Sequence, residues 1–464
     1  MKIRDDNTIA AIATPIGEGA IAVIRVSGAE AIRVSDRVFV GKKKLNDIEA
    51  NAVQFGKVFD ATGRLLDEVL ATVFKAPHSY TGEDSVEISC HGGVYVANQI
   101  LEELLAAGAR QADPGEYTKR AFLNGKMDLS QAEAVADLIQ ARSEKAHWAS
   151  VGQLEGKLSE YVGLLRSELL RLCALLELEL DFSEEGIEVV ERANVKKGID
   201  QVQAAVDRMI ASYAVGKHYR DGVSVVFAGR PNAGKSSIFN ALLKENRAIV
   251  SPSPGTTRDY IEEAVVLGGV LFRMIDTAGL HEATELVEAE GVKRAKSKVV
   301  ESDIVVVVVD AAESLSRADA LKALEGLKPV EEVIIAYNKI DLHPDLLPQS
   351  IEFSFNGIQG TEVFVSAKTG AGLDLLTTCL MESVADESGV GPMDFRITSR
   401  RHCDVCDRVT QSLSRALSSL NSGMTNEFIA LDVRQAIDAL SEITGEITSE
   451  DILDVIFKEF CIGK

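Results

Sequence analysis

The run VSVVFA-GRPNAGK-SSIFNALLK, from Val223 to Lys244, constrains the fold more than any other stretch. It reads as an apolar strand, a glycine loop and a helix start, with the spacing G-x-x-x-x-G-K-[ST]. Glycines at 229 and 234 let the loop turn its amides inward around phosphates, and the helix N-terminus adds partial positive charge. Lys235 is placed to reach the β and γ phosphates, and the Ser236 hydroxyl to hold Mg²⁺. Asn232, Ala233, Gly234 and Ser237 complete the cradle.

Further motifs follow in order. Apolar runs LFRMI, IVVVVV, VIIAY and VFVSA alternate with helical stretches, which predicts a mostly parallel sheet with helices on both faces. Asp276, Thr277, Ala278 and Gly279 follow LFRMI. Asp276 can act on the Mg²⁺ shell and the Gly279 amide can meet a γ-phosphate. Asn338, Lys339, Ile340 and Asp341 follow VIIAY. The Asp341 carboxylate can accept from guanine N1 and N2, a pattern adenine lacks, and Lys339 can lie across the base. Ser366, Ala367 and Lys368 offer backbone donors to guanine O6. The ligand implied is GTP. Between these motifs runs Ser251, Pro252, Ser253, Pro254, Gly255, Thr256, Thr257. Thr257 is the candidate for a threonine that closes on Mg²⁺, and with Lys235 it counts among the catalytic residues. Leu280 stands where Ras-like proteins carry a water-positioning glutamine. The acidic segment after it offers His281, Glu282, Glu285, Glu288 and Glu290, and spacing does not choose among them.

The chain has 464 residues, enough for two to four domains. Its longest apolar runs fall short of the roughly 20 residues a membrane helix needs. The N-terminus lacks a secretory pattern, so a cytoplasmic, reducing location is expected. Six cysteines form no disulfide framework, and Cys403 with Cys406 is a lone CxxC read as structural. The formal net charge of −22 argues against diffuse nucleic-acid binding.

Three textures organise the chain. Residues 1–124 carry short β-like runs and suggest a compact α/β domain. Residues 125–219 and 384–464 read as one helical domain, with a G domain at 220–383 inserted between its halves. Ser130 and Glu133 have capping-box spacing, and Thr448 with Asp451 could open the last helix. Leu165, Leu169, Leu172 and Leu176 share one helix face.

With TIAAIATPIGEGAIAVIRVSG, PHSYTGEDSVEISCHGG, PGEYTKRAFLNGKMDLSQAEAVADLI, GRPNAGKSS, GTTRD, DTAGL and FCIGK in view, the whole chain resembles the MnmE (TrmE) family of tRNA-modifying GTPases. That resemblance implies a homodimer working with a flavin-dependent partner, MnmG (GidA), on the wobble uridine of certain tRNAs. It implies a one-carbon donor, 5-formyl- or methylene-tetrahydrofolate, bound by the N-terminal domain, and K⁺ beside the phosphates.

By matching motif positions, the resemblance implies folate contacts at Arg25, Glu87, Lys126 and Lys464. It implies a K⁺ shell at Asn232, Ser251, Ser253 and Thr256. Ser251 and Ser253 depart from the family's usual residues, but K⁺ is held there largely by backbone carbonyls. Glu288 takes the position of the family's water-orienting glutamate. Cys461 takes that of its functionally important C-terminal cysteine. Arg258 is a rival for the charge role given to K⁺. Two other readings are a switch GTPase, as in ribosome assembly, and a module that only delivers folate.

Overall fold

The computed structural model describes residues 7–182, 192–245, 262–276, 302–321, 332–355, 358–384, 395–458 and 460–464. Contacts divide the chain into two units. One comprises Met1–Ile139, Gln153–Ser167 and Ile437–Lys464; the other comprises Gln140–Gly152 and Glu168–Ala436. No described helix is long and apolar enough to cross a membrane.

The first unit is built on seven strands: β1 (Ile9–Ile12), β2 (Ile21–Ser27), β3 (Phe39–Gly41), β4 (Val53–Phe59), β5 (Leu65–Phe74), β6 (Ser85–His91) and β7 (Arg110–Gln111). Their order is β3-β4-β5-β6-β2-β1-β7. Every pairing is antiparallel except β1 with β7. Alternation along β2 sends Ile24 and Val26 to one face, where α1 (Ala31–Val38) and α2 (Val94–Ala106) cover them. Each fully buried aliphatic side chain there contributes roughly 1.5–3 kcal/mol. The intervening residue, Arg25, points to the opposite face. Ile9 and Ala11 of β1 make a small core with Tyr117 of α3 (Glu116–Leu123).

Helix α4 (Leu129–Gln140) opens on a capping box, but not the expected one. The Gln131 amide donates to Asp128 Oδ1 (2.9 Å), and the Asp128 amide donates to Gln131 Oε1 (3.0 Å). Ser130 is buried inside the first turn, so it is unavailable as the cap.

The second unit carries α5 (Glu144–Leu154), most of α6 (Lys157–Phe182) and α7 (Arg192–Asp221). Leu169, Leu172 and Leu176 of the α6 stripe are buried. The chain then enters a sheet of order β13-β14-β12-β11-β8-β10-β9. Its strands are β8 (Val223–Ala228), β9 (Glu262–Leu267), β10 (Val270–Asp276), β11 (Ile304–Asp310), β12 (Glu332–Asn338), β13 (Ser350–Phe355) and β14 (Ile358–Phe364). The five inner strands run parallel; the edges β9 and β13 are antiparallel. Those edges lack long apolar runs, which is why the sequence pattern does not announce them. On one face α8 (Lys235–Glu245) supplies Ile238, Phe239 and Leu242. On the other, α9 (Arg317–Leu321) supplies Ala320 and Leu321, and α10 (Leu373–Glu382) joins α8 on the first face. Helix α11 (Arg400–Asn421) packs along α7, and α12 (Asn426–Thr444) follows. Cys403 and Cys406 lie buried in α11, and burial pushes the Cys406 thiol up to about 12, as befits an inert core residue.

The last helix, α13 (Glu450–Lys458), belongs to the first unit. Its cap is Ser449, whose Oγ accepts from the Ile452 amide at 3.4 Å, and not Thr448. Leu453, Phe457 and Phe460 pack on Leu129 and Ala132.

A buried ionic group ties α3 to the sheet. Arg120 donates to Glu83 Oε2 (3.2 Å), Glu116 Oε1 (2.8 Å) and the Asn7 carbonyl (2.9 Å). Glu116 also accepts from Arg110 at 2.7 Å. Burial opposes ionisation of Glu116, but these partners outweigh it and hold its pKa below the ordinary value. Removing one member of a buried pair costs about 3–5 kcal/mol. Arg120→Ala should fall near the lower end of that range, because Glu116 keeps Arg110. Urea unfolding followed by a probe in the N-terminal unit checks this.

Candidate functional site

In the second unit, the loop from Gly229 to Gly234 joins β8 to α8. Gly234 has φ +97, and a Cβ there would run into the Asn338 side-chain amide. Asn232 also sits in the left-handed region (φ 63), which asparagine tolerates better than most residues. Lys235 is buried, and its ammonium donates to the carbonyls of Gly229 (3.1 Å) and Arg230 (3.0 Å). Ser236 and Ser237 follow in the first turn of α8. Asp276 ends β10 in register with Phe227 of β8, beside the loop's origin.

Asn338, at the end of β12, binds two loops at once. Its Nδ2 donates to the Ala233 carbonyl and its Oδ1 accepts from the Ala367 amide, both at 3.0 Å. The Ala367 amide, expected as a donor to guanine O6, is thus engaged, leaving the Lys368 amide as the other backbone donor of that motif. Lys339 (φ 69) reaches back to the Asn232 carbonyl (2.9 Å) and to Asp310 Oδ2 (2.5 Å). Burial raises the Asp310 carboxyl, but Lys339 and the Ala312 amide outweigh it and hold the pKa below the ordinary value. The Ser366 hydroxyl donates to Asp341 Oδ1 (2.6 Å) and aims the exposed carboxylate. Ile340 is buried among the core residues below it. The structure therefore brings Asn232, Ala233, Lys235, Asn338, Lys339, Asp341, Ser366 and Ala367 into one continuous network. Ser251, Pro252, Ser253, Pro254, Gly255, Thr256, Thr257, Thr277, Ala278, Gly279 and Glu288 lie outside the described residues.

A second cluster lies in the first unit. The β2–β6 register sets Arg25 opposite Glu87, on the sheet face away from α1 and α2. Arg25 Nε donates to Glu87 Oε1 at 2.9 Å and its Nη2 lies 2.8 Å from the same oxygen. The guanidinium stands 5.2 Å from the Tyr80 ring and 5.6 Å from the Tyr117 ring, a cation–π distance. Tyr117 Oη donates to the Arg25 carbonyl (2.7 Å), and Tyr80 Oη meets Thr118 Oγ1 (2.9 Å). Among the described residues, the buried Arg25 Nη1 has no hydrogen-bond partner. Lys464 is within electrostatic reach: burial first, then Arg25, lower its pKa, while Glu87 acts the other way. Lys126 makes a different contact, donating to the Pro77 carbonyl at 3.1 Å. Cys461 is exposed, and its carbonyl accepts from the Lys464 amide at 3.3 Å.

Sequence reasoning missed Tyr80, Tyr117, Asp310 and the Ser366–Asp341 contact as site features. Both tyrosines sit inside the quoted blocks PHSYTGED and PGEYTKR, which was the available signal. Asp310 is the last residue of the valine-rich strand β11, and a carboxylate closing so apolar a run was the available signal.

Asp341→Asn should weaken GDP binding by roughly 10–100-fold, since a hydrogen bond to a charged group is worth about 1.5–3 kcal/mol. The new amide should favour a base with oxygen at carbon 2. Fluorescence titration with guanosine and xanthosine diphosphates checks both effects.

Two family models match: "GTP-binding protein TrmE N-terminus" over residues 8–126, and "MnmE helical domain" over residues 129–461. A protein of Syntrophus aciditrophicus named tRNA modification GTPase MnmE is 43% identical over 461 residues, covering 99% of each chain. One of the same name from Salinibacter ruber is 44% identical over 473 residues, covering 100% of both. With its N-terminal and helical regions both matched and full-length relatives at these identities, this chain belongs to the MnmE (TrmE) family.

Proposed function

We propose that this chain is a homodimeric, potassium-activated GTPase that acts in tRNA modification. With a flavin-dependent partner of the MnmG (GidA) kind, it forms a 5-(carboxymethyl)aminomethyl-type group at wobble uridine 34 of certain tRNAs. The one-carbon unit comes from 5-formyl- or methylene-tetrahydrofolate. The observation that carries the reading is that one chain holds both a guanine-type nucleotide cradle and a separate cationic, aromatic-walled cluster at Arg25. A plain switch protein needs only the first.

The residues suit the groups this reading requires. Asn232, Ser251, Ser253 and Thr256 offer oxygen donors, the set a hard monovalent cation takes, and Ser236 with Thr257 offers hydroxyls for Mg²⁺. Bound there, K⁺ supplies the positive charge that an arginine finger supplies elsewhere. Lys235 neutralises phosphate charge, and Asn338 fixes the loop that presents it. Glu288 orients the attacking water in place of the glutamine that Leu280 displaces. At the N-terminal domain (1–124), the orphaned Arg25 Nη1, together with the Lys464 ammonium from the tail, suits a carboxylate, and Tyr80 and Tyr117 suit a flat ring. Glu87 can accept from ring N–H groups. The helical domain (125–219 and 384–464) carries the G domain (220–383) and the tail with Cys461.

Replacing Na⁺ by K⁺ should raise GTP turnover at least roughly tenfold, given that an arginine finger is worth about 10³–10⁵. Equal rates in both salts would remove the potassium assignment. Cells lacking the gene should accumulate tRNA with unmodified uridine 34, read by nucleoside mass spectrometry. Fully modified tRNA would instead place the chain among switch GTPases.

A further inference from the structure

The tail from Phe460 to Lys464 is seated on the N-terminal sheet by features of its own. Phe460 is buried beside Phe457, with ring centroids 5.5 Å apart. Cys461 and Ile462 face solvent, whereas Gly463 is buried. Gly463 has φ +96, and a Cβ there would lie 2.5 Å from the Ile12 carbonyl oxygen and 2.8 Å from Ala13 Cα. Any side chain at 463 is therefore excluded twice, by conformation and by the end of β1. The Gly115 amide points at the Cys461 carbonyl at 3.5 Å. Ala11, next to Ile12 on β1, is the register partner of Arg25, and Lys464 lies within electrostatic reach of Arg25 and Glu87. Those three side chains carry two positive charges and one negative, and Arg25 Nη1 lacks a partner.

We propose that Gly463 is a positioning residue: its close seating on the Ile12–Ala13 backbone places Lys464 beside Arg25, so that tail seating and carboxylate binding at Arg25 reinforce each other. The proposal rests on the folate reading for the identity of the carboxylate, but not for the seating itself. Two cations brought together repel, so the seated tail is held against a local electrostatic cost. An anion lying between Arg25 and Lys464 reverses the sign of that interaction. Linkage then requires that whatever the seated tail adds to anion affinity, the anion adds to tail seating. In the seated state the exposed Cys461 is held at a fixed place on the domain rather than swinging free.

Hydrogen exchange read by mass spectrometry tests this on the full-length protein, following the amides of 457–464 and of Gly115. In the wild type, 5-formyl-tetrahydrofolate should slow tail exchange about tenfold, the factor matched by a tenfold gain in ligand affinity. Gly463→Ala should exchange fast in the tail, keep wild-type exchange in β2 and β6, and bind folate about tenfold more weakly. Lys464→Gln should keep its tail seated but lose the ligand-dependent slowing, which separates seating from charge. Wild-type tail protection and affinity in Gly463→Ala would overturn the proposal, as would a full ligand response in Lys464→Gln. If the wild type binds no folate, the folate reading falls. Triglutamate then serves as the probe: slower tail exchange with it supports the coupling, and unchanged exchange overturns it.

Discussion

The side-chain amide of Asn338 is the tie on which the nucleotide site depends. It is buried at the end of β12 and spends its donor on the Ala233 carbonyl and its acceptor on the Ala367 amide. One planar group thereby fixes the phosphate loop and the base loop in a single frame. Gly234 has no side chain because that amide occupies the space a Cβ would need. Lys339 adds a second tie, from the base loop to the Asn232 carbonyl and Asp310. Unsatisfied buried amides cost about 1–3 kcal/mol each, so the two loops hold each other's geometry as much as they hold a ligand.

The N-terminal cluster works by different physics. Strand alternation places Arg25 on the face opposite the hydrophobic core, and antiparallel register sets Glu87 beside it. Tyrosine rings flank the guanidinium, and the Tyr117 hydroxyl anchors the strand that carries it. The charge there is not balanced within the cluster: Arg25 bonds to the single carboxylate of Glu87, its Nη1 has no hydrogen-bond partner among the described residues, and Lys464 adds a second cation within electrostatic reach. The neighbouring group around Arg120 is the contrast: its guanidinium meets two carboxylates and a carbonyl.

The described part of the candidate nucleotide site was legible in the sequence because its parts are short and local. A strand, a loop and a helix start occupy consecutive residues, and each base-reading motif follows its own strand. The edge strands β9 and β13 were not legible, since solvent-facing edges dispense with long apolar runs. Helix starts were read two residues late at Ser130 and one early at Thr448, because several residues near each start have capping chemistry and burial decides among them.

By itself the sequence determined the chemistry of the phosphate loop, the preference for guanine and the family, all of which reside in contiguous blocks. Only the tertiary structure decided which charges meet. Arg25 and Glu87 lie 62 residues apart, and the sheet register alone makes them partners. Lys464 comes within electrostatic reach of both, with Gly463 fitted against the end of β1 where no side chain could sit. Such meetings depend on pairings between distant segments, which no local spacing encodes.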